Sequence, residues 1–312
     1  EELIQLFRYA TKLSQITGKK IESAMISDVP GFTWGGVTAM AQAGIRYLSD
    51  GPNYGERHFM SVWADQPFYW IGPDGKSKVL VWIPFQGYAL AHIYDAMSPR
   101  LLDDLCTRLQ NPEYPYELAY IRWAGLGDNG VPDESICDFV KDWNQTHQSP
   151  QFKIAGTTEA FQALEQRYGS SLPEYRGDWT PYWENGAGSA ARETAMNRQT
   201  AERLTQAQTL FAMFDPGDYS EKDFDAAWKN VLLYSEHTWG AQGSVSDPEH
   251  PQTTGQWAQK RGYAEDADKE SRALLDSVLT NAQADAGNAA EVEVVNTLSW
   301  KRTQLVTVSR EL

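Results

Sequence analysis

The side chains that could do chemistry fall into two groups, loop carboxylates and a histidine that closes a helix. Asp28, Asp128, Asp178 and Glu184 stand in loops rich in glycine, proline and tryptophan rather than in charged surface runs. Two such carboxylates about 5–5.5 Å apart can attack an acetal carbon and protonate its leaving oxygen. The histidine lies in Leu232–Ala241, Leu-Leu-Tyr-Ser-Glu-His-Thr-Trp-Gly-Ala, where an acid, an imidazole and an indole follow an apolar helical stripe. Helix stability asks only for a stop there, which Gly240 supplies, so Glu236, His237 and Trp239 invite another explanation. An Asp on a strand-end loop and a His at a helix end suit zinc, but two ligands do not complete a catalytic site. No His-x-Asp pair is present; His92 and Asp95 are three apart but read as loop or helix surface, and His58, His147 and His250 have no acidic or histidine company at ligand spacing. Gly-x-Ser-x-Gly, a P-loop and Gly-x-Gly-x-x-Gly are also absent, which removes serine-hydrolase, NTPase and dinucleotide readings.

These residues need a sizeable scaffold, and 312 residues allow two domains or a barrel with an addition. The 12 tryptophans, 15 tyrosines and 11 phenylalanines fill cores and also line sugar clefts. Trp34, Trp179 and Trp239, with Glu184, are the substrate-binding candidates. A formal charge of −15 argues against nucleic acid or an anionic membrane and suits a neutral substrate. No apolar run reaches the roughly 18 residues of a membrane span. Cys106 and Cys137 fall in expected helices and read as core thiols. Asn144-Gln-Thr is a glycosylation sequon.

In chain order, helix 1–18 (Leu3, Leu6, Phe7, Ala10 and Leu13 on one face) precedes strand Ile21–Ser27, which ends in Asp28-Val-Pro-Gly. Helix Val37–Ala43, strand Ile45–Leu48 and an aromatic loop over Asp50–Asp65 follow. Strands Phe68–Ile71 and Lys78–Pro84 flank a Gly-Pro-Asp-Gly turn. Helix Pro99–Leu109, strand Leu118–Trp123, a helix from Pro132 to Trp143, strand Phe152–Ala155 and helix Thr158–Tyr168 complete an alternation that implies a parallel α/β sheet or barrel. In such folds the loops after strand C-terminal ends carry the chemistry, and Asp28 and Asp128 stand there. Three helices then read as a bundle: Ala190–Phe214, one from Ser220 with Ser-x-x-Asp at its start, and Thr254–Ala282. At Val292–Asn296 and Gln304–Val308 the period switches to two, announcing a β domain.

Together these segments resemble the glycoside hydrolase family 38 α-mannosidases. Asp28-Val-Pro-Gly followed by Ala43-Gly-Ile-Arg-Tyr resembles that family's nucleophile segment, and Tyr234-Ser-Glu-His-Thr-Trp-Gly-Ala is similar to its zinc-histidine helix end. Gly127-Asp-Asn-Gly and Gly177-Asp-Trp-Thr-Pro-Tyr-Trp, running into Gly188-Ser-Ala-Ala-Arg, look like its substrate loop and bundle entry. The resemblance implies a zinc-dependent retaining hydrolase of terminal α-linked sugars. It implies Asp28 as nucleophile and zinc ligand, His237 as second ligand, and Asp178 as acid/base. Asp128 would share that role or contact sugar, and Glu184 stands in reserve. The family's N-terminal His-x-Asp pair is missing, so one zinc ion is expected with its remaining ligands before residue 1.

The expected domains are an α/β barrel-like catalytic domain (1–173) lacking its first strand, a three-helix bundle (174–286) and the start of a β-sandwich (287–312). Both ends read as cut, this chain can be an incomplete catalytic unit, and no compartment is assigned. Expected partners are an oligosaccharide or glycoside and a second copy in a homo-oligomer. Two other readings compete: a carbohydrate-binding relative without a complete metal site, and a metal-dependent sugar deacetylase or amidohydrolase.

Overall fold

The computed structural model describes residues 2–29, 31–52, 65–84, 87–88, 96–110, 114–123, 131–179, 188–237, 243–286 and 294–307. The chain divides into two compact units, Leu6–Trp183, and Glu1–Gln5 with Glu184–Leu312.

The first unit is built on a five-stranded mixed sheet in the order β1-β2-β4-β3-β5. Its strands are β1 (Ser23–Asp28), β2 (Tyr47–Pro52), β3 (Phe68–Ile71), β4 (Lys78–Trp82) and β5 (Glu174–Tyr175). β1, β2 and β4 run parallel, β3 pairs antiparallel with β4, and β5 runs parallel to β3. The Gly-Pro-Asp-Gly turn is as expected, with Gly75 at φ 69° and Asp74 Oδ1 accepting the Lys76 and Ser77 main-chain N–H groups at 3.0 and 2.9 Å.

Both faces of this sheet are covered, so β4 is apolar almost throughout. Val79, Val81 and Ile83 join Leu48, Phe68 and Trp70 beneath Val37 and Met40 of helix α2 (Gly35–Gln42). On the opposite face Tyr47, Tyr69, Leu80 and Trp82 pack against Phe161 and Leu164 of an α-helix over Thr157–Tyr168. Glu165 of that helix collects the Tyr47 hydroxyl (2.7 Å), the Tyr69 hydroxyl (2.9 Å) and Arg46 (2.8 Å), pinning the helix to the sheet. Helix α1 (Glu2–Thr17) buries Phe7 but leaves Leu6 and Leu13 exposed, less of the expected stripe than its spacing suggests.

Two expected strands form no ladder. Residues 118–123 do alternate: Leu118 and Tyr120 turn to one cluster, and Ile121 and Trp123 to another formed with helices Pro99–Leu109 and Ile136–Thr146. Side chains tie the segment to the sheet in place of a ladder, Tyr120 to Ser49 at 3.1 Å and Arg122 to Ile26 O at 2.8 Å. Residues 152–155 likewise join no strand ladder among the described residues. There the sequon residue Asn144 exchanges two 2.8 Å bonds with the Phe152 backbone, so its amide serves the loop. The described strands make one five-stranded mixed sheet, and the expected barrel-like closure is not formed among the described residues. Cys137 is exposed and Cys106 half-buried, so neither is the core thiol expected.

In the second unit an α-helix over Pro251–Ala286 lies along the helices Ala191–Phe214 and Glu221–Tyr234. Leu204, Phe211, Phe224, Trp228, Val231 and Val278 fill their core. Ser220 caps the Glu221–Tyr234 helix as its spacing predicts, accepting the Asp223 N–H at 3.4 Å. Arg203 and Asp268 form a half-buried pair at 2.8 Å within the bundle. Residues 294–307, expected to begin a β domain, pair with no described segment, and a ladder needs a partner. No helix among the described residues is long and apolar enough to cross a membrane.

Candidate functional site

Asp28 ends β1 with φ at 74°, a left-handed conformation that aspartate tolerates better than most side chains. The chain turns out of the sheet there, as Val29-Pro30-Gly31 predicts, and the half-buried carboxylate accepts the Tyr88 hydroxyl at 2.9 Å on Oδ1. This is the C-terminal end of a parallel strand, where α/β folds place ligands.

Three neighbours of this strand end escape the sequence reading. The buried Arg122 donates to Ile26 O and to Ser27 Oγ, the two residues preceding Asp28. It lies so close over β2 that a Cβ at Gly51 would overlap its Nη1 and stand 2.9 Å from Cζ and 3.0 Å from Tyr88 N. Asp50 is the third. It is fully buried opposite Ile26 in the β1–β2 register, and neither of its oxygens has a hydrogen-bond partner among the described residues. Burial lifts its carboxyl to about 8, against the pull of the Arg122 guanidinium. By alternation Asp50 shares the Leu48 face of β2, and Asp28 shares the Ala24–Ile26 face of β1. One signal could have found Arg122, a cation inside the apolar run Tyr-Ile-Arg-Trp, since buried arginine is rare without a task. Asp50 was hidden by the following Gly-Pro, which reads as a loop but closes a strand.

Asp178, the acid/base candidate, is exposed, and its Oδ1 accepts main-chain N–H groups from Trp34 at 2.8 Å and Trp179 at 3.0 Å. Trp34 is the N-cap residue of α2, so Asp178 also anchors the start of that helix. The structure therefore brings Asp178, Trp34 and Trp179 together. Trp34 is half-buried with its indole donating to Ile71 O at 2.8 Å. Trp179 departs from its expected place in a sugar cleft. It is 2% exposed and stacks on Trp70 at 3.8 Å and 8°, which gives its indole a core task. The apolar neighbours Phe68 and Tyr175 explain why.

In the second unit the helix stops at Tyr234, earlier than the expected Gly240. Ser235 is its C-cap residue, accepting Asn197 Nδ2 at 3.1 Å and donating to Glu2 at 2.7 Å. His237 follows, with Nδ1 2.7 Å from Glu236 Oε1. Asp128, Glu184 and Trp239, together with Gly240 and His92, lie outside the described residues.

Asp28 and His237, which stand in different units, are each of a residue type that zinc accepts. In number they fall short, because no group of three or more His, Cys, Asp or Glu side chains that could hold a metal occurs among the described residues.

The fold and the strand-end acids define an α/β domain with a mixed sheet, of the kind that carries its site at the C-terminal ends of parallel strands. Residues 3–178, more than half of the chain, match the glycosyl hydrolases family 38 N-terminal domain, and the chain belongs to that family. A similar solved structure is described as the crystal structure of an alpha-mannosidase from Enterococcus faecalis V583. It shows 16% identity and a TM-score of 0.64 over 91% of this chain and 32% of that one, so this chain spans about a third of its length. No curated protein sequence matches significantly.

Proposed function

We propose that this chain forms part of a retaining glycoside hydrolase acting on terminal α-linked sugars of the mannoside class, with Asp28 as nucleophile. The observation that carries the reading is Asp28 itself. It is a left-handed aspartate at a parallel strand end, inside the matched family segment and held by the Tyr88 hydroxyl. In the first step an Asp28 oxygen bonds to the anomeric carbon, the bond to the leaving oxygen breaks, and an acid gives that oxygen a proton. In the second step water bonds to the anomeric carbon, the bond from that carbon to the Asp28 oxygen breaks, the deprotonated acid group takes the water's proton, and the sugar leaves with retained configuration. The acid/base carboxylate is drawn from Asp178 and Asp128, and Glu184, Trp34 and Trp239 are proposed to meet substrate. Asp28 and His237 are proposed as zinc ligands, and no step above is routed through the metal. The domain division at about residues 174 and 287 belongs to the same reading.

The test is covalent trapping with a fluorinated α-mannosyl fluoride, read by peptide mass spectrometry beside aryl α-mannoside turnover and metal analysis. A sugar adduct on the Asp28 peptide, with turnover reduced by roughly 10³-fold or more in Asp28→Asn, supports the nucleophile. An adduct elsewhere, or turnover indifferent to Asp28→Asn, overturns it. Binding of mannosides with no turnover would favour the carbohydrate-binding reading.

A further inference from the structure

The end of the Glu221–Tyr234 helix is held by a side chain 26 residues away from its last position. Lys260, on the Pro251–Ala286 helix, is 8% exposed, and its ammonium lies among the carbonyls at the end of the Glu221–Tyr234 helix. Nζ donates to Leu233 O at 3.0 Å, Tyr234 O at 3.3 Å and Glu236 O at 2.9 Å, and it meets Glu236 Oε2 at 3.2 Å. The last carbonyls of any helix have no partner within it and carry its negative end, so a cation there is a cap. A cap alone would need only the carbonyls. Here the same ammonium also takes one oxygen of Glu236, while the other oxygen of that carboxylate stands 2.7 Å from His237 Nδ1.

An ionised carboxylate can only accept hydrogen bonds, so the proton between Glu236 and His237 belongs to Nδ1. We propose that Lys260 and Glu236 are positioning residues that fix the His237 imidazole in its Nδ1–H tautomer, with the ring lone pair on Nε2. Carboxylates do this for ligating histidines in general, setting ring orientation and basicity. The assignment deepens the proposed function, because it rests on His237 having a role there. It also explains the residue order. Glu236 reaches Lys260 and His237 at once because it directly follows the helix end, and neither contact requires a sequence motif.

The protein supplies its own control. His250 Nδ1 accepts the Gln252 main-chain N–H at 3.2 Å, so its proton belongs on Nε2. Long-range proton–nitrogen NMR at pH 8, where an ordinary imidazole is neutral, should therefore show opposite tautomers for His237 and His250. Glu236→Ala should abolish the Nδ1–H pattern of His237 and leave that of His250. Lys260→Met, which keeps the aliphatic stem, should shift His237 toward a tautomer mixture, and Lys260→Arg should restore it. An Nε2–H tautomer for His237 in the unaltered protein overturns the proposal. So does an unchanged pattern in Glu236→Ala. If Lys260→Met lowers the melting temperature without touching the His237 pattern, Lys260 is a helix cap and its part of the proposal falls. Mannoside turnover on the same samples reads the separate question: absent turnover with the tautomers intact removes the glycosidase reading and leaves this one standing.

Discussion

Asp50→Asn should make the chain progressively more stable, relative to the parent, as pH rises from 4.5 to 8.5. The carboxyl of Asp50 is wholly buried with neither oxygen hydrogen-bonded among the described residues, and burial carries it from its ordinary 3.8 to about 8. The native chain therefore keeps this proton over a range in which the unfolded chain has lost it. More protons bound to the native state means that stability falls as pH rises through that window and levels off above about 8. About four pH units at about 1.4 kcal/mol each bounds the loss at on the order of 5 kcal/mol.

Asparagine has nearly the same shape and no charge to desolvate. Its buried amide costs about 1–3 kcal/mol if unbonded, but that cost is the same at every pH. The readout is therefore the slope. Urea midpoints of the two chains, measured every half pH unit, should diverge upward in favour of Asp50→Asn. A difference that stays flat would refute the burial argument. A difference that runs the other way would mean Asp50 is ionised and paired in the native state.

Two further substitutions test neighbouring arguments. Gly51→Ala places a methyl group against Arg122, a guanidinium already committed to Ile26 O and Ser27 Oγ, and should cost about 1–3 kcal/mol by urea denaturation. In an Arg122→Ala background most of that cost should vanish, and persistence there would exonerate Arg122. In the bundle, hydrogen bonds from Arg272 and Arg203, each 2.8 Å, hold Asp268 below its ordinary pKa. A depressed carboxyl stabilises above its unfolded value and loses that stabilisation as pH falls. Asp268→Asn should therefore cost about 1–3 kcal/mol at pH 7 and progressively less as pH falls below the ordinary carboxylate value, and a cost independent of pH would remove the ion-pair explanation.

The helices and the hairpin were legible because each rests on local chemistry. Ser220 and Asp223 make a start signal that lies within four residues, and Asp74 folds its turn with its own neighbours. The errors came where a distant segment decides. Residues 118–123 carry the period of a strand, and its alternation is real. Whether that alternation becomes a ladder depends on backbone partners that no spacing reveals, and here side chains such as Tyr120 and Arg122 make the connection. Trp179 was misplaced for the same reason. An indole in a polar loop looks like a sugar platform until Trp70, more than a hundred residues earlier, is found stacked on it.

The candidate site shows a sharper contrast. Asp178 and Trp179 sit in the kind of loop that suggests chemistry, and both also have structural tasks, an anchor for α2 and a core ring. At the ends of β1 and β2 the local rules are broken instead. Asp28 takes a left-handed φ, Asp50 buries two oxygens unbonded among the described residues, and Gly51 must stay bare beneath a buried cation. Each departure costs stability, and a fold with freedom to avoid them would place apolar residues there. Costs gathered at the ends of two adjacent strands are what a working site leaves behind, and the inference runs from the observed strain to function rather than the reverse. On that argument the first residues to vary are Asp28, Asp50 and Arg122, ahead of the tryptophans that first drew attention.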